Sequence, residues 1–556
     1  GAITFRDWHP VGAEEYGYAV PDPLDPDVIY GGKLSRYDRR TKQVQEIAPR
    51  PLREGGYRVI RTAPIAFSPV DPHILYFASN TLWKTTSGGN SWTEISPDLS
   101  RPEWTVPASV GVYSTGANAR PTRRGVIYAI APSPLDVNRI WAGTDDGLIH
   151  LTTDGGATWK NVTPPQLQAW MKVSIIDASH SDPQTAYVAV NTFRIDDLRP
   201  HIYRTRDGGA TWSHITNGIP DAGIVNVVRE DPKRKGLLFA GTEREVFVSF
   251  DDGDHWQSVR QNMPASSIRD LVIKDDDVVV ATHGRGFWIL DDIEPLRQID
   301  ATTSAAASRL FAPAVATRVR WNNNTDTPLP PEEPAGQNPP DGAMIDYYLR
   351  SAASSATLEI LDGAGKVVRR YSSADKVAPV ADTGNVPRYW IRPPQVLSTG
   401  AGMHRFLWDL HYTPARRKAE YPIAAVVHET APSPTSPWVV PGTYTVRLTI
   451  DGQSETQPLL VKMDPRVRTS EEALEQQYSL SKEVYDALIA TDAAIEDLHG
   501  MRHAKAASAA KGSAPNVTSQ FERMAAALEG EESESSPVPG PPATLHTQCS
   551  SPPNPR

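Results

Sequence analysis

One short phrase, written four times, constrains this chain more than any other feature: TTSGGNSW at 85–92, TTDGGATW at 152–159, TRDGGATW at 205–212 and SFDDGDHW at 249–256. Each copy follows a strand-like run such as LIHLT or EVFVS and precedes a short polar-apolar run such as KNV or QSV, so each reads as a hairpin. An Asp side chain accepts bonds from the backbone amides of such a turn, and glycine supplies positive φ. Trp92, Trp159, Trp212 and Trp256 are expected to pack beneath their own loops. A unit that recurs every few tens of residues, each copy too small to bury its own face, predicts four-stranded sheets stacked as a β-propeller.

The phrase resembles the Asp-box, or BNR repeat, of sialidases, xyloglucanase-type glycoside hydrolases and the sortilin receptor propeller. Asp154, Asp207 and Asp251 carry the aspartate, whereas Ser87 replaces it in the first copy, which predicts a less firmly held turn. The stretches YGGKLSRYDRRT, RTAPIAFSP, SPDLS, GTDDGLIHLTTDGGATW, VNVVREDP and ATHGRGFWILDD resemble bacterial secreted proteins described as glycosyl hydrolase or sortilin-like, from about Trp8 to Asp464. That resemblance implies an extracellular or periplasmic protein and a further propeller upstream in a longer chain. It implies a polysaccharide or a peptide as the ligand.

Composition narrows the rest. The chain has 556 residues and a net charge of −10 with no basic stripe, which argues against nucleic acid as a partner. Its one cysteine, Cys549, rules out an intramolecular disulfide and has no metal-ligand company. No apolar run approaches the roughly 20 residues of a membrane span. The histidines are dispersed and neither a zinc, phosphate-loop nor EF-hand pattern occurs, so no metal and no cofactor is expected.

Strand-like runs divide residues 1–321 into about six propeller units, near Tyr16–Ile47, Tyr57–Ile95, Gly125–Val162, Val173–Ile215, Ile224–Val259 and Ile268–Ile293, which either close as six blades or form part of a seven-bladed ring. Arg309–Trp321 is expected to supply a closing strand or the exit. Residues 322–340 read as a linker, and 341–465 as an antiparallel Ig-like sandwich of short alternating strands. Residues 466–530 read as a helical hairpin, with Thr469 and Glu472 as a capping box, apolar steps from Leu474 to Leu498, and a second helix at Ser519–Leu528. Residues 531–556 read as disordered.

Topology locates the chemistry. With the box between the third and fourth strands, turns between the second and third lie on the opposite face, the expected ligand mouth. They contribute Asn80, Asp145, Asp146, Asp196, Asp197, Arg199, Glu243, Arg244, His283 and Arg285, and the loops between units add Trp104 and Trp170. Carboxylates around a cleft, with tryptophans able to stack on sugar faces, suit glycosidic hydrolysis, and Asp146 and Asp197 are the candidate catalytic pair. The alternatives stay open. Asp145 and Asp146 before Gly147 also suit a tight turn, and Arg285 pairing with Asp291 or Asp292 to lock the last unit is the structural alternative to ligand binding. A sialidase arginine triad from Arg61, Arg244 and Arg285 lacks the matching context. A binding propeller without catalysis accounts for the same residues.

Overall fold

The computed structural model describes residues 2–3, 8–13, 17–49, 56–104, 106–115, 119, 122–319, 335–340, 342–377, 395–415 and 436–509. It is mainly β, and its described residues fall into two compact units, the first reaching Leu410 and including residues 441–466, the second including 411–415, 436–440 and 467–509.

The first unit opens with six antiparallel sheets, each a meander of consecutive strands. Sheets I to V have four strands apiece, running from Ala19–Pro21 to Gln43–Glu46, Ile65–Phe67 to Thr93–Glu94, Ile127–Pro132 to Lys160–Asn161, Lys172–Ala178 to Ser213–His214, and Val225–Glu230 to Gln257–Ser258. Sheet VI has three among the described residues: Ile268–Lys274, Asp277–Thr282 and Phe287–Leu290. First strands of neighbouring sheets lie against one another from sheet III to sheet VI, so they form the inner side of the stack. Apolar side chains fill the spaces between sheets, with Trp141, Phe77, Phe239 and Leu82 wholly buried.

The repeated phrase explains how these sheets are fastened. In every copy the aspartate, or Ser87, accepts the backbone N–H four residues on, at 2.9 Å for Asp154, Asp207 and Asp251 and 3.0 Å for Ser87. The tryptophan does not stay beneath its own turn. Its indole N–H crosses to the preceding sheet, from Trp92 to the Ile47 carbonyl, Trp159 to Ile95, Trp212 to Val162 and Trp256 to Ile215, at 2.7–2.9 Å. Only Trp256 is buried by the usual measure, at 5% exposure; the other three are half-buried. The glycine three residues earlier has positive φ and no room for a Cβ, because the same neighbouring residue sits on it: 2.4 Å from Gly89 to Ile47 and 2.6 Å from Gly209 to Val162. Each box is therefore a rivet between consecutive sheets.

Of the two roles expected for the run after sheet VI, the described residues take that of the exit. Ser308–Leu310 pairs with Ala343–Leu349, and Ala316–Arg318 pairs in parallel with the end of Gln453–Met463, so this stretch belongs to the following β unit and supplies no closing strand. That unit has a three-stranded sheet (with Gly402–Trp408) and a five-stranded one (with Gly442–Ile450, Ala356–Leu361 and Val367–Ser372), so it is not wholly antiparallel. Trp408 against Tyr444 and Phe406 against Tyr371 join the two sheets, with ring centres 5.7 and 4.5 Å apart.

The second unit is built on the helix Glu471–Ala509. Ser470, one residue after the expected Thr469, caps it, its hydroxyl accepting the Ala473 N–H. Along the predicted stripe, Tyr478 bonds Tyr412 and Tyr485 donates to the Thr413 carbonyl. The expected second helix, most of the 322–340 linker and the tail lie outside the described residues. No described helix is long and apolar enough to cross a membrane.

Candidate functional site

All the predicted mouth turns do join second to third strands, at the end of each sheet opposite the boxes. Their first duty is to hold the inner strands. The turn N–H of Asn80, Asp145, Glu243 and His283 donates to the carbonyl just before or leading into its inner strand, at Arg58, Val126, Ile224 and Ser267. Asn80 and Asp145 reciprocate with their side chains, accepting the Arg58 and Val126 N–H groups. Burial pushes the Asp145 carboxyl above its usual range, against the hydrogen bond from Val126 and the charge of Arg194.

Asp146 is wholly buried. One carboxylate oxygen accepts the Thr144 hydroxyl; the other accepts the Arg101 N–H at 2.8 Å and the Trp104 indole N–H at 3.0 Å. It thus anchors the long insertion 96–120 onto sheet III. Trp104 itself is buried and meets Trp170 edge to face at 4.8 Å, so neither of its faces is an open sugar platform.

Asp197 sits in the excursion 192–201 of sheet IV. Arg199 grips both its oxygens at 2.9 Å and His201 approaches at 3.0 Å; the Arg199 hydrogen bonds dominate, and the carboxyl is held far below its ordinary range. Asp196 is exposed in a left-handed conformation. No hydrogen bond or ion pair among the described residues joins Asp146 to Asp197; the structure gives them separate surroundings. Arg244 and Arg285 are exposed. Arg285 does not reach Asp291 or Asp292, whose carbonyls instead accept from Arg405.

A second set of residues, absent from the sequence reading, gathers at the mouth ends of the inner strands. Sheets III to VI share a β-bulge at one place, where Tyr128, Ser174, Asn226 and Arg269 are the unpaired extra residues. A bulge re-aims its side chain. Asn226 donates to Glu243 at 2.9 Å, accepts from Asn191 and donates to the Ile268 carbonyl. Arg269 reaches Glu243 at 3.2 Å and His283 at 3.3 Å, while the Lys172 ammonium lies 4.3 Å over the Tyr128 ring. Burial raises the Glu243 pKa, but bonds from Asn226 and Ser267 and the charges of Arg269 and Lys172 outweigh it and keep the carboxylate ionised. Deeper along the same strands, Arg229 bridges Asp177 and Asp270. The available signal was a polar or aromatic residue directly after the first β-branched residue of each inner strand: Ile127-Tyr128, Val173-Ser174, Val225-Asn226 and Ile268-Arg269.

Consecutive antiparallel sheets riveted by Asp-box turns, with polar turns at the ends of their inner strands, place the chain among proteins built of propeller-like Asp-box blades. Within that class the chain is a distant homologue of the xyloglucanases. An oligoxyloglucan-reducing end-specific xyloglucanase of Emericella nidulans is 28% identical over 159 residues, covering 28% of this chain and 18% of that protein. A Paenibacillus xyloglucanase is 23% identical over 297 residues, covering 46% and 27%. The aligned stretches thus span less than a third of these relatives. Among solved structures, the GH74 xyloglucanase of Xanthomonas campestris aligns with 16% identity over 65% of this chain and 50% of that one, at a TM-score of 0.39. No protein-family model matches the chain.

Proposed function

We propose that this chain binds a polysaccharide at the mouth of its inner strands. The observation that carries this reading is the bulge ring: Tyr128, Asn226 and Arg269, with Lys172, Glu243 and His283, combine aromatic faces with fixed donors and acceptors suited to sugar hydroxyls. The distant xyloglucanase homology supports the same ligand class. In this reading the six sheets close a ring. Two contacts support closure: Trp8 stacks on Phe287 of sheet VI at 5.9 Å, and Tyr18, beside sheet I, feels the charge of Asp270 in sheet VI. The two-sheet unit acts as an Ig-like spacer, and the protein works outside the cytoplasm, where such glycans occur.

Hydrolysis is the stronger form of the proposal. A glycosidase pairs a protonated carboxyl with an ionised one. Asp197 and Glu243 are both held ionised, which suits a base or nucleophile, and Asp146 as partner acid must first release Trp104 and Arg101. Incubation of the protein with xyloglucan tests this: release of reducing ends, lost in Asp197→Asn with binding retained, establishes hydrolysis. Binding without release leaves a glycan-binding propeller. The alternating charges of Lys172, Glu243 and Arg269 favour a second reading, a peptide-binding propeller, which predicts no glycan affinity.

A further inference from the structure

The boxes form a series that stops one member short. In sheets I to IV the residue just past the fourth strand (Ile47, Ile95, Val162, Ile215) closes its sheet by donating its N–H to the start of the third strand. Its carbonyl then receives the tryptophan of the next sheet, and its side chain lies on that sheet's box glycine. Val259 is the fifth member, with its N–H on the Val246 carbonyl at 2.9 Å. The next sheet, however, has no box. After Phe287–Leu290 the chain turns through Asp291 and Asp292 into the short helix Glu294–Gln298, and among the described residues sheet VI has three strands. Among the described residues no side chain donates to the Val259 carbonyl, and no strand pairs with the outer edge of Phe287–Leu290.

Beside that edge lies a groove between sheets V and VI whose floor is apolar, with Val259, Met263, Val280, Trp288 and Leu290, and whose rim carries the polar run Arg260–Asn262. Ile289 stands at its edge, 52% exposed. Exposed strand edges ending in apolar residues are templates for added strands. Four filled copies of the same slot in this molecule specify the complement: a two-residue strand, preceded by a tryptophan that donates its indole N–H, preceded three residues earlier by a glycine of positive φ.

We propose that this groove and edge are a docking slot for an extended Gly-x-x-Trp segment of a partner polypeptide, which adds the fourth strand of sheet VI and caps Val259. The site lies on the outer part of the sheets and is separate from the glycan mouth proposed above.

The chain's own box is a ready probe. A fluorescein-labelled peptide of the sequence SFDDGDHWQSV, residues 249–259, is titrated with the full chain and followed by anisotropy. Saturable binding is expected. Replacing the peptide tryptophan by Phe removes the indole N–H and should weaken binding roughly 5-fold, whereas Ala should weaken it at least about 30-fold. Ile289→Lys in the protein, at an exposed position the fold tolerates, should abolish binding while leaving the circular dichroism spectrum unchanged. Absence of saturable binding overturns the proposal. So does equal affinity for the Trp→Ala peptide, or undiminished binding by the folded Ile289→Lys protein.

Discussion

The Trp212 indole donates to the Val162 carbonyl at 2.8 Å, and Val162 belongs to the sheet before the one that carries the tryptophan. The repeated phrase is therefore a joint between sheets. Trp212→Phe removes the hydrogen bond and part of the ring, and should cost about 1–2 kcal/mol. Trp212→Ala also opens a void against Trp141, whose ring centre is 6.1 Å away, and should cost roughly 3 kcal/mol. Chemical denaturation of the two variants checks the order; equal losses would show that the indole N–H contributes most of the joint.

Gly209 tests the other half of that joint. A Cβ there falls 2.6 Å from the Val162 Cβ, at a φ of +82°. Gly209→Ala combines backbone strain with a clash against buried backbone-anchored carbon, and should destabilise by about 2–4 kcal/mol. Gly363, whose added Cβ meets nothing within 4 Å, is the control, and Gly363→Ala should change stability by less than about 0.5 kcal/mol. Melting temperatures of the pair measure the difference.

Asp146 predicts a stability phenotype. Asp146→Ala leaves the Trp104 indole and the Arg101 N–H without their acceptor, so the insertion 96–120 should detach from sheet III. The expected result is a loss of roughly 3 kcal/mol and new proteolytic cleavage within 96–120. A variant with unchanged stability and protease pattern, but abolished turnover on xyloglucan, would make Asp146 the acid instead.

Asp292 sets a pH dependence. It is 4% exposed, and burial raises its carboxyl to about 6, with Arg405 opposing and Asp346 and Asp276 reinforcing the shift. A carboxyl whose folded pKa lies above its unfolded value favours the folded state at low pH, and that contribution is lost as pH rises from about 4 to about 6. Asp292→Asn keeps an acceptor for the Glu294 N–H and removes the ionisation. The variant should gain on the wild type by about 1–2 kcal/mol between pH 4 and pH 7, read as the difference in melting temperature at the two pH values.

The sheets were legible because a positive-φ glycine followed by tryptophan leaves a local trace, and the turn faces followed from strand order alone. Residues whose role depends on distant partners were not legible. Asp146 looks like a turn acid until Arg101 and Trp104, more than 40 residues away, are seen to bond it. The bulge residues depend on pairing register, which a strand's own pattern does not reveal. Whether Arg309–Trp321 closes the sheets or leaves them was open in the sequence, since the parallel partner of Ala316–Arg318, Val461–Met463, lies far downstream.

Glycan binding at the bulge residues is tested at Arg269. Isothermal titration of xyloglucan oligosaccharides compares the wild type with Arg269→Ala, a change at a half-exposed side chain after which the circular dichroism spectrum should match that of the wild type. The wild type should bind measurably and the variant more weakly, by about 10-fold or more. Equal affinities, or no heat with any oligosaccharide, would contradict glycan binding there.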